Sequence, residues 1–125
     1  MARVALLSPD LLFGSKVEGG LRAAGHQVTR VESEDGARAA LAGAADVLVV
    51  DLGAENVDGA GLVESLRASD ELGRLATLGF YPHVEQETRR RAEAAGFDLV
   101  VPRSRMAREM GALVERVMVE RAGAG

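Results

Sequence analysis

The chain has 125 residues and a mass of 13.1 kDa, which suits one domain and leaves little room for a second. It contains no cysteine, so a disulfide framework, a thiolate metal site and a cysteine nucleophile are excluded. The net charge of −4 argues against non-specific binding to nucleic acid, which requires a basic surface. No apolar run approaches the roughly 18 residues of a membrane span, and no segment resembles a signal peptide. We therefore expect a cytoplasmic domain that contacts neither membranes nor nucleic acid.

Short apolar runs alternate with amphipathic stretches along the whole chain, and these runs are rich in Val and Leu. Such runs are typical of parallel strands that are covered on both faces. The second run alternates apolar with polar residues, which indicates an edge strand. The predicted strands are Val4–Leu7, Gln27–Val31, Asp46–Leu52, Leu75–Phe80 and Asp98–Val101.

Five further stretches carry apolar residues at helical spacing. Glycine follows three of them, at Gly25, Gly43 and Gly96, where it can end a helix. Residues 1–121 are predicted to form one domain, and residues 122–125 a flexible tail. The apolar stripes are Val17, Leu21 and Ala24; Ala37, Ala40 and Leu41; Leu62, Val63 and Leu66; Val84, Thr88, Ala92 and Ala95; and Met106, Met110, Leu113, Val114 and Val117.

Five strands alternating with five helices predict an α/β fold with an open, doubly wound parallel sheet and helices on both faces. In such sheets the functional crevice lies at the carboxyl ends of the strands. Chemically active side chains follow four of the five predicted strands. They are Ser8, Asp10, Ser15 and Lys16; Asp51; Tyr81 and His83; and Arg103 and Ser104.

The basic and hydroxyl side chains at this edge are candidates for an anion site. Gly14 and Ser15 lead into the first predicted helix, whose free N–H groups would attract phosphate, sulfate or a carboxylated metabolite. Lys16, His83 and Arg103, with Ser104, complete the candidate set. The alternative is that His83 caps the fourth helix and that Lys16 is a solvated helix residue.

The stretch VLVVDLGAENVDGAGLVESLR, residues 47–67, resembles the phosphoacceptor strand and following helix of response-regulator receiver domains, which are CheY-like. AEAAGFDLVVPR resembles the segment that leads to the lysine of that family, which maps onto Arg103. EDGARAAL resembles the second helix. The resemblance covers nearly the whole chain, and implies a flavodoxin-like sheet of strand order 2-1-3-4-5. It places Asp51 where the family has its phosphorylated aspartate.

Departures from the family pattern predict a degenerate receiver, or pseudo-receiver. Ser8 and Pro9 stand where receivers have the acidic pair that holds Mg²⁺. Asp10 and Asp51 are then the candidate metal ligands, and Mg²⁺ prefers a fuller octahedral set of oxygens. We expect no cofactor, with Mg²⁺ needed only if the chain is a genuine phosphorelay regulator.

The family's switch residues also differ in this chain. Where the family has Ser or Thr, this chain has Tyr81 by ungapped spacing, or Gly79 if the loop is shifted. Arg103-Ser104 replaces the family's Lys-Pro. Because a guanidinium fork matches a carboxylate with two hydrogen bonds, the favoured hypothesis is a permanent Asp51–Arg103 ion pair. Two other roles of Asp51 stay open, as a phosphoacceptor and as a capping or solvent-facing carboxylate.

A basic cluster on the fourth and fifth predicted helices comprises Arg89, Arg90, Arg91, Arg105 and Arg108. The resemblance implies that the face of the fourth helix, fifth strand and fifth helix contacts targets or a second copy of the chain. The alternative is a solvated face whose arginines pair with Glu85, Glu87 and Glu93.

The sequence thus predicts a stand-alone pseudo-receiver without enzymatic activity, acting through contacts with another protein in bacterial signalling. A homodimer through the docking face is a further expectation. Two alternatives stay open. One is a genuine phosphorelay response regulator that is phosphorylated on Asp51, and the other is a sensor of a small anion or metabolite.

Overall fold

The computed structural model describes residues 1–82 and 86–124 of the chain. Five strands and five helices alternate strictly along it. The candidate anion ligand His83 and the predicted helix residue Val84 lie outside the described residues. The elements are β1 (Arg3–Leu7), α1 (Leu11–Ala23), β2 (Gln27–Val31), α2 (Glu34–Ala42), β3 (Val47–Asp51), α3 (Gly59–Ala68), β4 (Ala76–Tyr81), α4 (Gln86–Ala95), β5 (Leu99–Pro102) and α5 (Arg103–Ala124).

The five strands form one parallel sheet in the order β2-β1-β3-β4-β5. This confirms the predicted fold class and strand order, with β2 at an edge. Register pairs Asp51 with Phe80 and Tyr81 with Pro102. The carboxyl ends of three neighbouring strands therefore meet at one edge of the sheet.

Two apolar cores flank the sheet because successive strand residues point to opposite faces. Val47 and Val49 enter one core with α1 and α5, whereas Leu48 and Val50 enter the other with α2, α3 and α4. All five residues of β3 are buried. The central strand therefore carries Asp51 out of the most enclosed part of the protein to the carboxyl edge.

Side chains before three of the helices accept hydrogen bonds from the first helical turn. Asp10 caps α1, Ser33 caps α2 and Asp58 caps α3. The prediction that the first helix begins near Gly14 and Ser15 is wrong, because the Asp10 cap starts α1 at Leu11. The N–H group of Gly14 is consequently used within the helix, where it bonds to the carbonyl oxygen of Asp10 at 2.8 Å.

The last helix extends past the predicted domain end at residue 121. α5 continues to Ala124, so residues 122–124 are helical, and the flexibility expected of this tail stays a prediction. Arg121 holds the final turns, because its guanidinium bonds to the carbonyl oxygen of Gly73 at 2.8 Å and pairs with Asp98 at 3.8 Å. Within the described ranges, no helix is both long enough and apolar enough to cross a membrane.

Candidate functional site

A cavity of about 300 Å³ lies at the carboxyl edge of the sheet, at the end of β3. It is the place where open α/β sheets bind ligands. The loop after β1, the loop after β3 and the start of α5 supply its walls. The lining residues are Pro9, Asp10, Asp51, Gly53, Ala54, Glu55, Asn56, Pro82 and Arg103.

Asp51 ends β3 and is almost fully buried, with 5% of its surface exposed. Its Oδ1 accepts a hydrogen bond from the N–H of Gly53 at 3.0 Å, and its Oδ2 accepts a longer one from Ser8 Oγ at 3.5 Å. Burial raises the pKa of Asp51 above its ordinary value, although the Gly53 hydrogen bond and the charge of Arg103 act in the opposite direction. The Asp51 carboxylate is therefore enclosed, and the cost of burying its negative charge is only partly offset by the Gly53 hydrogen bond and the charge of Arg103.

Arg103 pairs with Asp10, not with Asp51. The predicted Asp51–Arg103 ion pair is wrong, because the cap position holds Asp10 at the start of α1, within reach of the guanidinium. The guanidinium carbon also lies 4.2 Å from the ring centroid of Phe13, a cation–π distance. The Phe13 N–H and Arg103 hold the pKa of Asp10 below its usual range.

One of the two predicted magnesium ligands at the carboxyl edge already has other partners. Asp10 Oδ1 accepts from the N–H of Phe13 at 3.1 Å, and its Oδ2 is bound by Arg103. Across residues 1–82 and 86–124, no group of three or more His, Asp or Glu side chains is placed to hold a metal. Mg²⁺ requires several oxygen ligands in octahedral geometry, and here one of two candidate carboxylates is already bound by a guanidinium.

The predicted anion set is not assembled within the described structure. Ser15 and Lys16 are exposed on α1, and neither lines the cavity. Because α1 begins at Leu11, these residues lie inside the helix and not at its N-terminus. Arg103 is the one described member of the set that reaches the cavity, and it is bound to Asp10.

The predicted switch residues lie at the ends of β4 and β5. Tyr81 is the last residue of β4 and is buried, with 7% of its surface exposed. Ser104 is exposed in the first turn of α5. Neither side chain lines the cavity that contains Asp51.

Arg91, predicted as part of the docking face, instead bridges two helices. Its guanidinium makes two contacts of 2.9 Å with the carboxylate of Asp58, which also caps α3. This bond to Arg91 lowers the pKa of Asp58. Asp58–Arg91 therefore repeats the arrangement of Asp10–Arg103: a capping aspartate held by an arginine from another helix.

The other arginines of the basic cluster form ion pairs with glutamates of their own helices. This is the solvated face that we gave as the alternative to a docking face. Arg90 and Arg108 remain the most open, with 72% and 70% of their side chains exposed. Exposed pairs of this kind contribute little to stability, so they leave the arginines available to a partner. The pairs are Arg89–Glu93 at 3.6 Å, Arg90–Glu87 at 3.7 Å, Arg105–Glu109 at 3.4 Å and Arg108–Glu109 at 3.8 Å.

Asp51→Asn is expected to raise the free energy of unfolding at neutral pH by on the order of 1 kcal/mol. Because the pKa of Asp51 is raised in the folded chain, its ionised form destabilises the fold, and this penalty disappears as the pH falls through that pKa. The advantage of Asp51→Asn in urea denaturation should therefore shrink toward about pH 4.

The matched control for this pH series is Asp10→Asn. The pKa of Asp10 is lowered in the folded chain, so its ionised form stabilises the fold, and this substitution should be destabilising at neutral pH. A loss of stability in Asp51→Asn at neutral pH would contradict the description of Asp51 as a buried, poorly compensated carboxylate.

A parallel sheet of order 2-1-3-4-5 is the arrangement of flavodoxin-like folds, which include CheY. No protein-family model matches the chain, and no curated protein matches it. Solved structures do match. The chain is similar to the chemotaxis response regulator CheY4 of Vibrio cholerae, with TM-score 0.80 and 19% identity over 94% of this chain and 98% of that one.

Two further structures extend this similarity. The receiver domain of the Francisella response regulator 1452 gives TM-score 0.83 and 16% identity over 96% of this chain and 98% of that one. NtrX from Brucella abortus, solved with ADP, gives TM-score 0.85 and 19% identity over 97% of this chain. The chain spans 28% of the length of NtrX. The TM-scores show that these proteins share the fold of this chain, and at such low sequence identity the similarity shows the fold alone.

Proposed function

We propose that this chain is a signalling module with a receiver fold that acts by contacting another protein, without magnesium-dependent phosphorylation of Asp51. The observation that carries the proposal is the Asp10–Arg103 ion pair at the carboxyl edge. It binds Asp10, the candidate metal ligand beside Asp51, whereas Glu55 is a second, exposed carboxylate that lines the same cavity. The receiver fold of the solved structures supports the signalling role.

Phosphoryl transfer depends on positioning by a metal ion and cations more than on covalent chemistry by the protein. Asp51 supplies one buried carboxylate, and Ser8 supplies a weakly bonded hydroxyl. Arg103 is directed to Asp10, and its Nε is buried without a hydrogen-bond partner in the described structure. These contacts therefore favour a structural role for the carboxyl edge of the sheet over a role in phosphoryl transfer.

Contact with the partner is proposed through the open side of α4 and the start of α5. Arg90 and Arg108 are exposed there, whereas Arg91 is bound to Asp58. An acidic surface on another signalling protein, or on a second copy of the chain, would complement them. Charge reversal at Arg90 and Arg108 should weaken such a complex, and charge reversal at Lys16 on α1 serves as the matched control.

The phosphorylation part of the proposal is tested with acetyl phosphate and Mg²⁺. Intact-protein mass spectrometry should show no phosphoryl adduct on the native chain, with or without Mg²⁺. The sample of Asp51→Asn sets the background. An adduct that requires Mg²⁺ and is absent from Asp51→Asn would refute the proposal.

The same outcome would establish the second candidate, a phosphorelay regulator that uses Asp51. One observation favours it: Asp51 lines a cavity that is open at the carboxyl edge, so a small phosphodonor can reach the carboxylate. Asp10 would then have to leave Arg103 in order to take part in binding the metal.

A further inference from the structure

A second cavity, of about 540 Å³, lies at the opposite edge of the sheet, where β3 and β4 begin. The ends of α2, α3 and α5 surround it. Its volume falls within the range of about 300–1,000 Å³ that is usual for small-molecule sites. The lining residues are Arg38, Leu41, Ala42, Ala44, Ala45, Asp46, Leu66, Glu71, Leu72, Arg74, Leu75, Ala76, Met118 and Ala122.

The floor of this amino-edge cavity is apolar. Leu41, Leu72, Leu75 and Met118 line it, and each keeps part of its surface exposed while packing against the core. A methionine side chain is flexible and adapts to the shape of what it contacts. An apolar body placed here would remove this remaining surface from water, which is favourable.

The charged side chains at the rim of this cavity differ in whether they have an ion-pair partner. Asp46 accepts the N–H of Arg3 at 2.8 Å and pairs with its guanidinium at 3.9 Å. Glu71 pairs with Arg38 at 3.7 Å. Arg74 is exposed at the rim and makes no hydrogen bond or ion pair with any residue of the described ranges. The charged rim residue without a partner among the described residues is therefore a cation.

We propose that the amino-edge cavity binds a small amphipathic anion, with an apolar body over the leucines and Met118 and a carboxylate bound by Arg74. A guanidinium fork binds a carboxylate through two parallel hydrogen bonds. A cationic head would instead meet carboxylates that already have partners. The site lies at the opposite edge from Asp51 and is independent of the function proposed for that edge.

Octanoate is the probe that tests this site, by titration into the ¹⁵N-labelled chain. Saturable amide shifts are expected at Leu41, Ala45, Leu72 and Ala122, and not around Asp51. Octanol and octylammonium carry the same chain with a neutral and a positive head. Each should bind at least about tenfold more weakly than octanoate, which is the effect of losing one charge-assisted interaction.

Two substitutions at exposed lining residues complete the test. Arg74→Glu should weaken octanoate binding by at least about tenfold. Lys16→Glu, which makes the same charge change on α1, should leave the affinity within about twofold because solvent and salt screen so distant a charge. Ala122→Trp should weaken binding by occupying part of the cavity. The melting temperature of each variant shows whether it remains folded.

The proposal fails if octanoate gives no saturable shifts at millimolar concentration, or if the shifts cluster at the carboxyl edge. It also fails if octylammonium binds as tightly as octanoate, or if Lys16→Glu and Arg74→Glu weaken binding equally. None of these outcomes depends on whether Asp51 is phosphorylated.

Discussion

Replacing Phe80 with alanine is expected to lower the free energy of unfolding by about 3–5 kcal/mol, the usual range for a buried phenylalanine. Phe80 is fully buried in β4, and its ring centroid lies 5.2 Å from that of Phe13. Phe13 in turn lies beneath the guanidinium of Arg103. The substitution therefore leaves a void in the core and removes the support of the residue that pairs with Asp10.

Chemical denaturation measures this loss, and Phe80→Leu is the matched control because it keeps most of the buried volume. Phe80→Leu should cost clearly less than Phe80→Ala. In the folded fraction of Phe80→Ala, the side-chain NMR signal of Arg103 should shift or broaden. An unchanged Arg103 signal, or a loss below about 1 kcal/mol, would contradict the contacts that link Phe80, Phe13 and Arg103.

Asp10→Ala is expected to lower the free energy of unfolding by about 1–2 kcal/mol, because it removes both the cap of α1 and the partner of Arg103. Asp58→Ala is the matched variant within the same chain, because Asp58 caps α3 and binds Arg91. The two losses should be similar. Since the pKa of Asp10 is lowered in the folded chain, its stabilisation is present at neutral pH and is lost as the pH falls through that pKa.

A double-mutant cycle with Arg103→Ala separates the ion pair from the cap. Asp10→Ala and Arg103→Ala should be less than additive, because each removes the same interaction. Full additivity would show that Arg103 and Asp10 do not interact in solution, and the assignment of Arg103 to Asp10 would then be withdrawn.

The strands follow from local pattern, which is why the sequence predicts them well, whereas their order was implied by the resemblance to receiver domains. The four residues before Asp51, Val47 to Val50, are all apolar, and a strand buried on both faces produces this pattern. The polar residues of β2 mark it as an edge strand, and β2 does lie at the edge. Asp51 could therefore be placed at the carboxyl edge without a structure.

Side-chain pairings could not be predicted in the same way. Arg103 pairs with a residue 93 positions away, and Arg91 with one 33 positions away. Two carboxylates compete for Arg103, and the outcome depends on where α1 begins. The missed signal was Asp10 directly before Leu11-Leu12, since an aspartate that precedes a helical stretch is a capping pattern. Gly14 and Ser15 were given a role that this cap excludes.

The most direct test of the central claim is a calorimetric titration of the native chain with MgCl₂. The claim is that Arg103 holds Asp10 and so withdraws this carboxylate from a metal site shared with Asp51. It predicts no saturable heat at millimolar Mg²⁺ and a trace that matches that of Asp51→Asn. Saturable binding to the native chain that Asp51→Asn abolishes would contradict it.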